Sequence, residues 1–258
     1  MTVNGAIRSL LAICILFAGA GAAQAACTRD YTIRVTENYP PYFRTGEDGQ
    51  RSGLEVTFAR QVMAQAGCEY RLVQLPWRRA LLMIESGELD ILTVASFTEE
   101  RAGFGRFSIP YRREIIGMMM RLADLDRPVT RLADLHQLGL QAVFLGGGYH
   151  GPEFKAYMTE PEFGKVFRPV TQIYESVPGL MHGRFDAILS DAIAMSEHIR
   201  ERGLSDRLGV HEFRVYENDV FFLTSRKSVS EGDLDQLNQA ITRAMAAPEN
   251  PFASWHPE

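Results

Sequence analysis

The 258-residue chain predicts an α/β protein of two lobes, and three observations carry that prediction. From Tyr31 onward, short β-rich runs alternate with amphipathic helical runs, the pattern of a parallel sheet covered by helices. The alternation restarts after Tyr111, so there are two series. An internal echo links them, Ser86-Gly87-Glu88-Leu89-Asp90-Ile91-Leu92 against His182-Gly183-Arg184-Phe185-Asp186-Ala187-Ile188, with glycine ending a helix and aspartate opening a strand in each.

Ahead of the first series, Arg8 is the only charge before Arg29. The apolar run Leu10 to Ala20 and the small residues ending in Ala23-Gln24-Ala25 read as a secretory signal peptide over residues 1–25, cut before Ala26. The run is too short to span a bilayer comfortably, so the mature chain is expected in the periplasm and not embedded in the membrane. Lipidation at Cys27 is an alternative, with Gln24 standing where such signals have an aliphatic residue. Cleavage removes Cys14 and leaves Cys27 and Cys68, an even pair in an oxidising compartment, which predicts a disulfide. Each lies just before a predicted strand, Tyr31 to Thr36 and Tyr70 to Leu75, and adjacent parallel strands bring such entry points together.

The first series continues with helices over Gly53 to Ala66 and Trp77 to Glu85 and a strand over Leu89 to Val94. The second places strands near Ile115 to Met120, Gly139 to Leu145, Val166 to Val170 and Phe185 to Leu189, with helices near Pro152 to Met158, Ile173 to His182 and Asp191 to Arg202. Strands around Gly209 to Tyr216 and Val220 to Thr224 and a helix over Gly232 to Ala246 complete the chain. Met118, Met119 and Met120 fit alternating strand positions better than a metal cluster.

Without Arg8 the chain carries 26 basic against 32 acidic residues, a net charge of −6, which argues against nucleic acid or an anionic membrane as partner. The six histidines are scattered, so no metal site is expected. No G-x-S-x-G, Walker-type loop or H-E-x-x-H occurs, and no cofactor is expected.

Candidate recognition groups gather where strands end. Ser96, Thr98 and Arg101 follow an apolar strand, and an arginine there can grip a carboxylate with two parallel hydrogen bonds. Tyr39, stiffened by Pro40 and Pro41, and Trp77, opening a helix, are placed to flank a planar or apolar group. Gly146-Gly147-Gly148-Tyr149-His150-Gly151 matches the dinucleotide fingerprint formally, but it lies mid-chain without a clear acidic residue at the end of the next strand; what survives is a glycine turn, Gly147 and Gly148, whose N–H groups suit an anion. Asp191 is placed either to accept from an ammonium or to cap a helix.

Taken in order, Tyr39-Pro40-Pro41-Tyr42, Gly49, Gly53-Leu54-Glu55-Val56, Gly87-x-x-Asp90, Thr98-Glu99-Glu100-Arg101, Phe107-Ser108-Ile109-Pro110-Tyr111 and Gly183-x-x-Asp186 with Asp191 resemble the family 3 extracellular solute-binding proteins. The resemblance covers nearly the whole mature chain. It implies a type II periplasmic-binding-protein fold, with a ligand cleft between lobes joined by two crossing strands. Lobe 1 would comprise residues 26–114 and 217–258, and lobe 2 residues 115–216. It implies that Arg101 and Ser96 hold an α-carboxylate, Asp191 an α-ammonium, and Tyr39 and Trp77 the side chain. The segment from Asp90 to Arg101 is one residue shorter than usual, Gly147-Gly148 lacks a hydroxyl neighbour, and Thr57 stands where an acidic residue is common. The implied function is a monomeric, non-enzymatic receptor that passes a zwitterionic or anionic metabolite to the membrane subunits of an ABC importer. The alternatives are a periplasmic dehydratase or lyase, with Glu37, Glu55 and His150 as candidate acid or base groups and each expected at the surface, and a sensor docking on a membrane receptor.

Overall fold

In the computed structural model, residues 27–36 and 38–253 are described, and the segment expected to be a signal peptide and Glu37 lie outside them. The first strand shows how sequence becomes layer. In β1 (Tyr31–Val35), Tyr31, Ile33 and Val35 join one apolar core while Thr32 and Arg34 face the other way, and all five are buried because the strand is covered on both faces. A short hairpin follows, β2 (Arg44–Thr45) and β3 (Arg51–Ser52), then α1 (Leu54–Ala66), β4 (Tyr70–Gln74), α2 (Trp77–Ser86) and β5 (Ile91–Ser96). The segment after β5 forms α3 (Glu99–Phe104), because the Thr98 hydroxyl caps it by accepting from Arg101 N–H at 3.2 Å. β6 (Gly105–Phe107) and the long β7 (Arg112–Arg121) complete this half.

The second half runs α4 (Leu132–Gln137), β8 (Ala142–Leu145), α5 (Pro152–Tyr157), β9 (Phe167–Val170), α6 (Val177–Met181), β10 (Ala187–Asp191), α7 (Ala192–Glu201) and β11 (Leu208–Val210), and β12 (Tyr216–Ser225) returns to the first half before α8 (Glu231–Ala246). The helix expected over Ile173 to His182 is divided into a 3-10 turn over Tyr174–Ser176 and α6, with Pro178 near the helix start. The strand expected to run from Gly209 to Tyr216 stops at Val210.

The sheet order is β4-β1-β5-β12-β7-β10-β8-β9, with β6 on β12 and β11 on β7. The two long strands stitch the halves: β7 and β12 pair antiparallel from Arg112 opposite Val220 to Ile116 opposite Tyr216, and each then continues into a different half. Met118 and Met120 enter one core and Met119 the other, all fully buried, as alternating strand positions require.

β1 and β4 pair in parallel from Tyr31 opposite Tyr70, and Cys27 is bonded to Cys68 just ahead of them with Cα atoms 5.1 Å apart. The bond leaves no thiol on Cys27 for lipidation.

The Tyr-Pro-Pro-Tyr loop is tied to the start of α1, whose Leu54 and Glu55 N–H groups donate to Pro41 O at 3.0 Å and Tyr42 O at 3.1 Å. Gly53 permits that approach: its φ is +110°, and a Cβ there would lie 2.3 Å from Tyr42 O. Gly53→Ala is expected to lower stability by about 3 kcal/mol, read as a loss of roughly 6–12 °C in Tm by calorimetry.

Candidate functional site

A cavity of about 840 Å³ lies where the two halves meet, with walls drawn from both. The carboxyl ends of β1, β4, β5 and β10 open onto it through Thr36, Leu75, Ser96 and Asp191.

One wall is aromatic. Tyr39 stacks on Tyr174 with ring centres 5.5 Å apart, and Tyr174 stacks on His198 at 4.1 Å. The Tyr39 hydroxyl meets Ser190 Oγ of the opposite half at 3.1 Å. On the other side, Trp77 opens α2 and its indole N–H donates to Gly147 O at 2.9 Å.

Ser96 is placed by an irregularity in β5. Val94 sits at φ +61°, a costly conformation for a β-branched residue, and the register against β12 shifts between Phe221 and Leu223. Val94 N–H bonds to the Tyr111 hydroxyl at 3.1 Å, outside the strand ladder.

Five of the seven predicted ligand residues line the cavity: Tyr39, Trp77, Ser96, Gly148 and Asp191. Arg101 and Gly147 do not line it: Arg101 is buried and Gly147 is exposed on the glycine turn. Arg101 donates to Ser96 O at 2.7 Å and Gly147 O at 3.0 Å, and its guanidinium stands 5.4 Å from the Trp77 ring. Burial lowers its pKa to about 10, so it stays cationic at neutral pH. The Gly147 carbonyl therefore accepts from both Trp77 and Arg101, a bond set that ties the halves together.

Asp191 takes the capping role weighed for it and gains two side-chain partners. It caps α7 by accepting from Ala194 N–H at 2.8 Å, accepts from Tyr42 OH at 3.1 Å on each oxygen, and faces Arg112 Nη1 at 3.7 Å. Burial raises its pKa and the Arg112 charge opposes that shift. Glu55 and His150 are corrected from surface to interior. Glu55 is fully buried because it accepts from Arg112 Nε at 2.7 Å and Tyr111 OH at 2.7 Å. His150 is buried beside Phe144 and Phe154, and desolvation lowers its pKa to about 4, which keeps it neutral.

Sequence reasoning missed Arg34, Glu114, Tyr149 and Tyr174, all on the cavity wall. For Arg34 and Glu114 the available signal was a charge inside a strand covered on both faces, which must find a partner or a ligand.

Two α/β halves joined by paired strands, with a cavity between them, define a two-lobed solute-binding fold. The chain belongs to the bacterial extracellular solute-binding proteins, family 3, whose family model matches residues 31–249. It is similar to the L-cystine-binding protein TcyJ of Escherichia coli (strain K12), 27% identical over 63% of this chain, and spans 59% of that relative's length. Among solved structures it is similar to the arginine-, lysine-, histidine-binding protein ArtJ of Geobacillus stearothermophilus, with a TM-score of 0.73 at 17% identity over 89% of this chain and 96% of that one. It is equally similar in fold to a histidine kinase sensor domain, with a TM-score of 0.74 at 20% identity over 88% of this chain and 96% of that one. Among the described residues no helix is long and apolar enough to cross a membrane.

Proposed function

We propose that the chain is a periplasmic receptor that captures a small zwitterionic or anionic metabolite, an amino acid or analogue, and delivers it as a monomer to the membrane subunits of an ABC importer. The single observation that carries this reading is the cavity of about 840 Å³ walled by both halves, large enough for one such molecule. Residues 26–114 with 217–258 form one lobe and 115–216 the other, and closure is scored by contacts across the cleft. These are the Trp77 and Arg101 bonds to Gly147, the Tyr39–Ser190 and Tyr42–Asp191 bonds, and the ion pairs of Arg44 with Glu197 and Glu201. A ligand that adds contacts only in the closed arrangement shifts the population toward it.

Tyr39, Trp77, Ser96, Gly148 and Asp191 form the ligand's surroundings, while Arg101 supports them through its bonds to Ser96 O and Gly147 O. The amino-acid class is supported by what the relatives bind, L-cystine for TcyJ and arginine, lysine and histidine for ArtJ. A binding role without turnover is supported by the relatives, which are binding proteins, and by the Glu55 carboxylate being occupied by Arg112 and Tyr111. The likeness to a kinase sensor domain supports a second reading, in which the closed form docks on a membrane receptor.

A thermal-shift screen of refolded, ligand-stripped protein tests the proposal. Amino acids, dicarboxylates, aromatic acids and small amines are supplied, and a bound ligand at 100 times its Kd is expected to add about 2.7 kcal/mol and a rise of several degrees in Tm. A panel in which nothing shifts the protein overturns the receptor reading; consumption of the ligand that shifts it, followed by mass spectrometry, overturns the non-enzymatic one.

A further inference from the structure

The charged groups around the cavity divide into those already satisfied and those not. Arg44 pairs with Glu197 and Glu201, and Asp191 is held by Arg112, Tyr42 and the start of α7. Glu175 and Arg202 are exposed at the rim, where water solvates them. Two wall residues fit neither description. Arg34 is 5% exposed, with its guanidinium carbon 5.3 Å from the Trp77 ring and 5.9 Å from the Phe43 ring. Its Nε donates to Leu75 O at 3.1 Å, and among the described residues no carboxylate lies within 4.0 Å of it. Glu114 is 7% exposed, and among the described residues no cation lies within 4.0 Å of its carboxyl group.

An isolated buried charge loses far more hydration than a hydrogen bond or an aromatic face returns. On the wall of the same cavity one cation and one acid have no oppositely charged group in contact: Arg34 has a carbonyl and two aromatic faces, and Glu114 has Arg112 and Asn218 favouring its charged form from further off. A ligand with a carboxylate and an ammonium supplies both missing partners, whereas a dicarboxylate or a diamine supplies one and opposes the other. We propose that Arg34 and Glu114 read the two poles of a zwitterionic ligand, Arg34 taking its carboxylate and Glu114 its ammonium. This rests on the receptor reading and narrows it to amino acids with free carboxyl and amino groups. It also moves recognition away from Arg101, whose guanidinium is committed to two carbonyls.

Glu114 adds a pH signature. Burial raises its pKa to about 7. Asp191 from β10 and Glu55 from α1 push the same way, while Arg112 on its own strand and Asn218 from β12 oppose them. Arg101 from α3 and the Tyr39 and Tyr42 side chains of the loop after β1 also feel its charge. An ammonium arriving beside Glu114 favours the ionised form, so binding releases a proton when Glu114 starts protonated. Affinity is therefore highest above pH 7 and falls by up to tenfold per unit below it.

Calorimetric titration with matched probes tests the proposal. Each set holds a zwitterion, its decarboxylated amine and its deaminated acid: L-phenylalanine with 2-phenylethylamine and 3-phenylpropanoate, L-cystine with cystamine and 3,3′-dithiodipropanoate, and 5-aminopentanoate with butylamine and pentanoate. The wild type is expected to bind at least one zwitterion about 100-fold more tightly than either partner. Arg34→Met should weaken the zwitterion by about 100-fold and leave the amine unchanged. Glu114→Gln should weaken it while leaving the acid unchanged, and should flatten the pH profile. Equal loss across a set in either variant, which a structural role produces, overturns the proposal, as does a zwitterion held normally by both variants. If the wild type binds only dicarboxylates or other acids, the receptor reading stands and this one falls; if nothing in the wider screen binds, both fall.

Discussion

Arg112→Met is expected to lower the Tm by about 10 °C, with the deficit larger at pH 8 than at pH 5. Arg112 sits between two acids from opposite halves: its Nε is 2.7 Å from Glu55 Oε1 and its Nη1 is 3.7 Å from Asp191 Oδ2. The side chains are 5%, 0% and 1% exposed respectively, so little water replaces a lost partner. The guanidinium also lies 4.3 Å from the Tyr42 ring, a contact that adds to its hold. Removing one member of such a group leaves the others charged and unsolvated, at a cost of about 3–5 kcal/mol.

The pH dependence follows from the direction of the acid shifts. Burial already raises the pKa of Glu55 and Asp191, and the Arg112 charge is the main opposing influence on each. Without it both rise further above their unfolded values. The folded state then binds protons more tightly than the unfolded chain, so stability is greatest below the unfolded pKa and is lost as pH rises through the folded one. Thermal melts of the variant across pH 5 to 8 check the slope, and adding Glu55→Gln should return part of the loss by removing one stranded charge.

The second large effect is at the other end of the sheet. Replacing Cys27 and Cys68 by serine is expected to cost about 4 kcal/mol, since the bond closes a loop spanning 41 residues, and to lower the Tm by roughly 8–16 °C. Ligand affinity should change little. The pair precedes β1 and β4, whereas the cavity opens at their carboxyl ends, and five strand residues separate the two by about 16 Å. Calorimetry of the oxidised protein and the double variant, followed by ligand titration of both, separates stability from binding; a large affinity loss at a temperature where both are folded would contradict this picture.

The seven residues expected around the ligand illustrate what can be read along a chain. Tyr39, Trp77, Ser96 and Asp191 were legible because each follows or ends a strand, and parallel strands deliver their carboxyl ends to one edge. Arg101 was legible as an anion grip by its chemistry alone. The structure gives its donors to Ser96 O and Gly147 O, a choice that depends on the glycine turn crossing over from the other half. Arg34 and Glu114 went unnoticed because a charge within a strand looks like any outward position until both faces are covered.

By itself, the sequence determined the α/β class, the two series of elements, the disulfide and most strands and helices. Those depend on periodicity, glycine and proline punctuation and cysteine count, all of which act over a few neighbouring residues or follow from composition. Only the tertiary structure decided which charges are spoken for. Glu55 meets Arg112 across 57 positions and Tyr42 meets Asp191 across 149, so no local pattern encodes either pairing. Whether a buried charge has a partner is a property of the packed interior, where the low dielectric makes the presence or absence of one neighbour decisive.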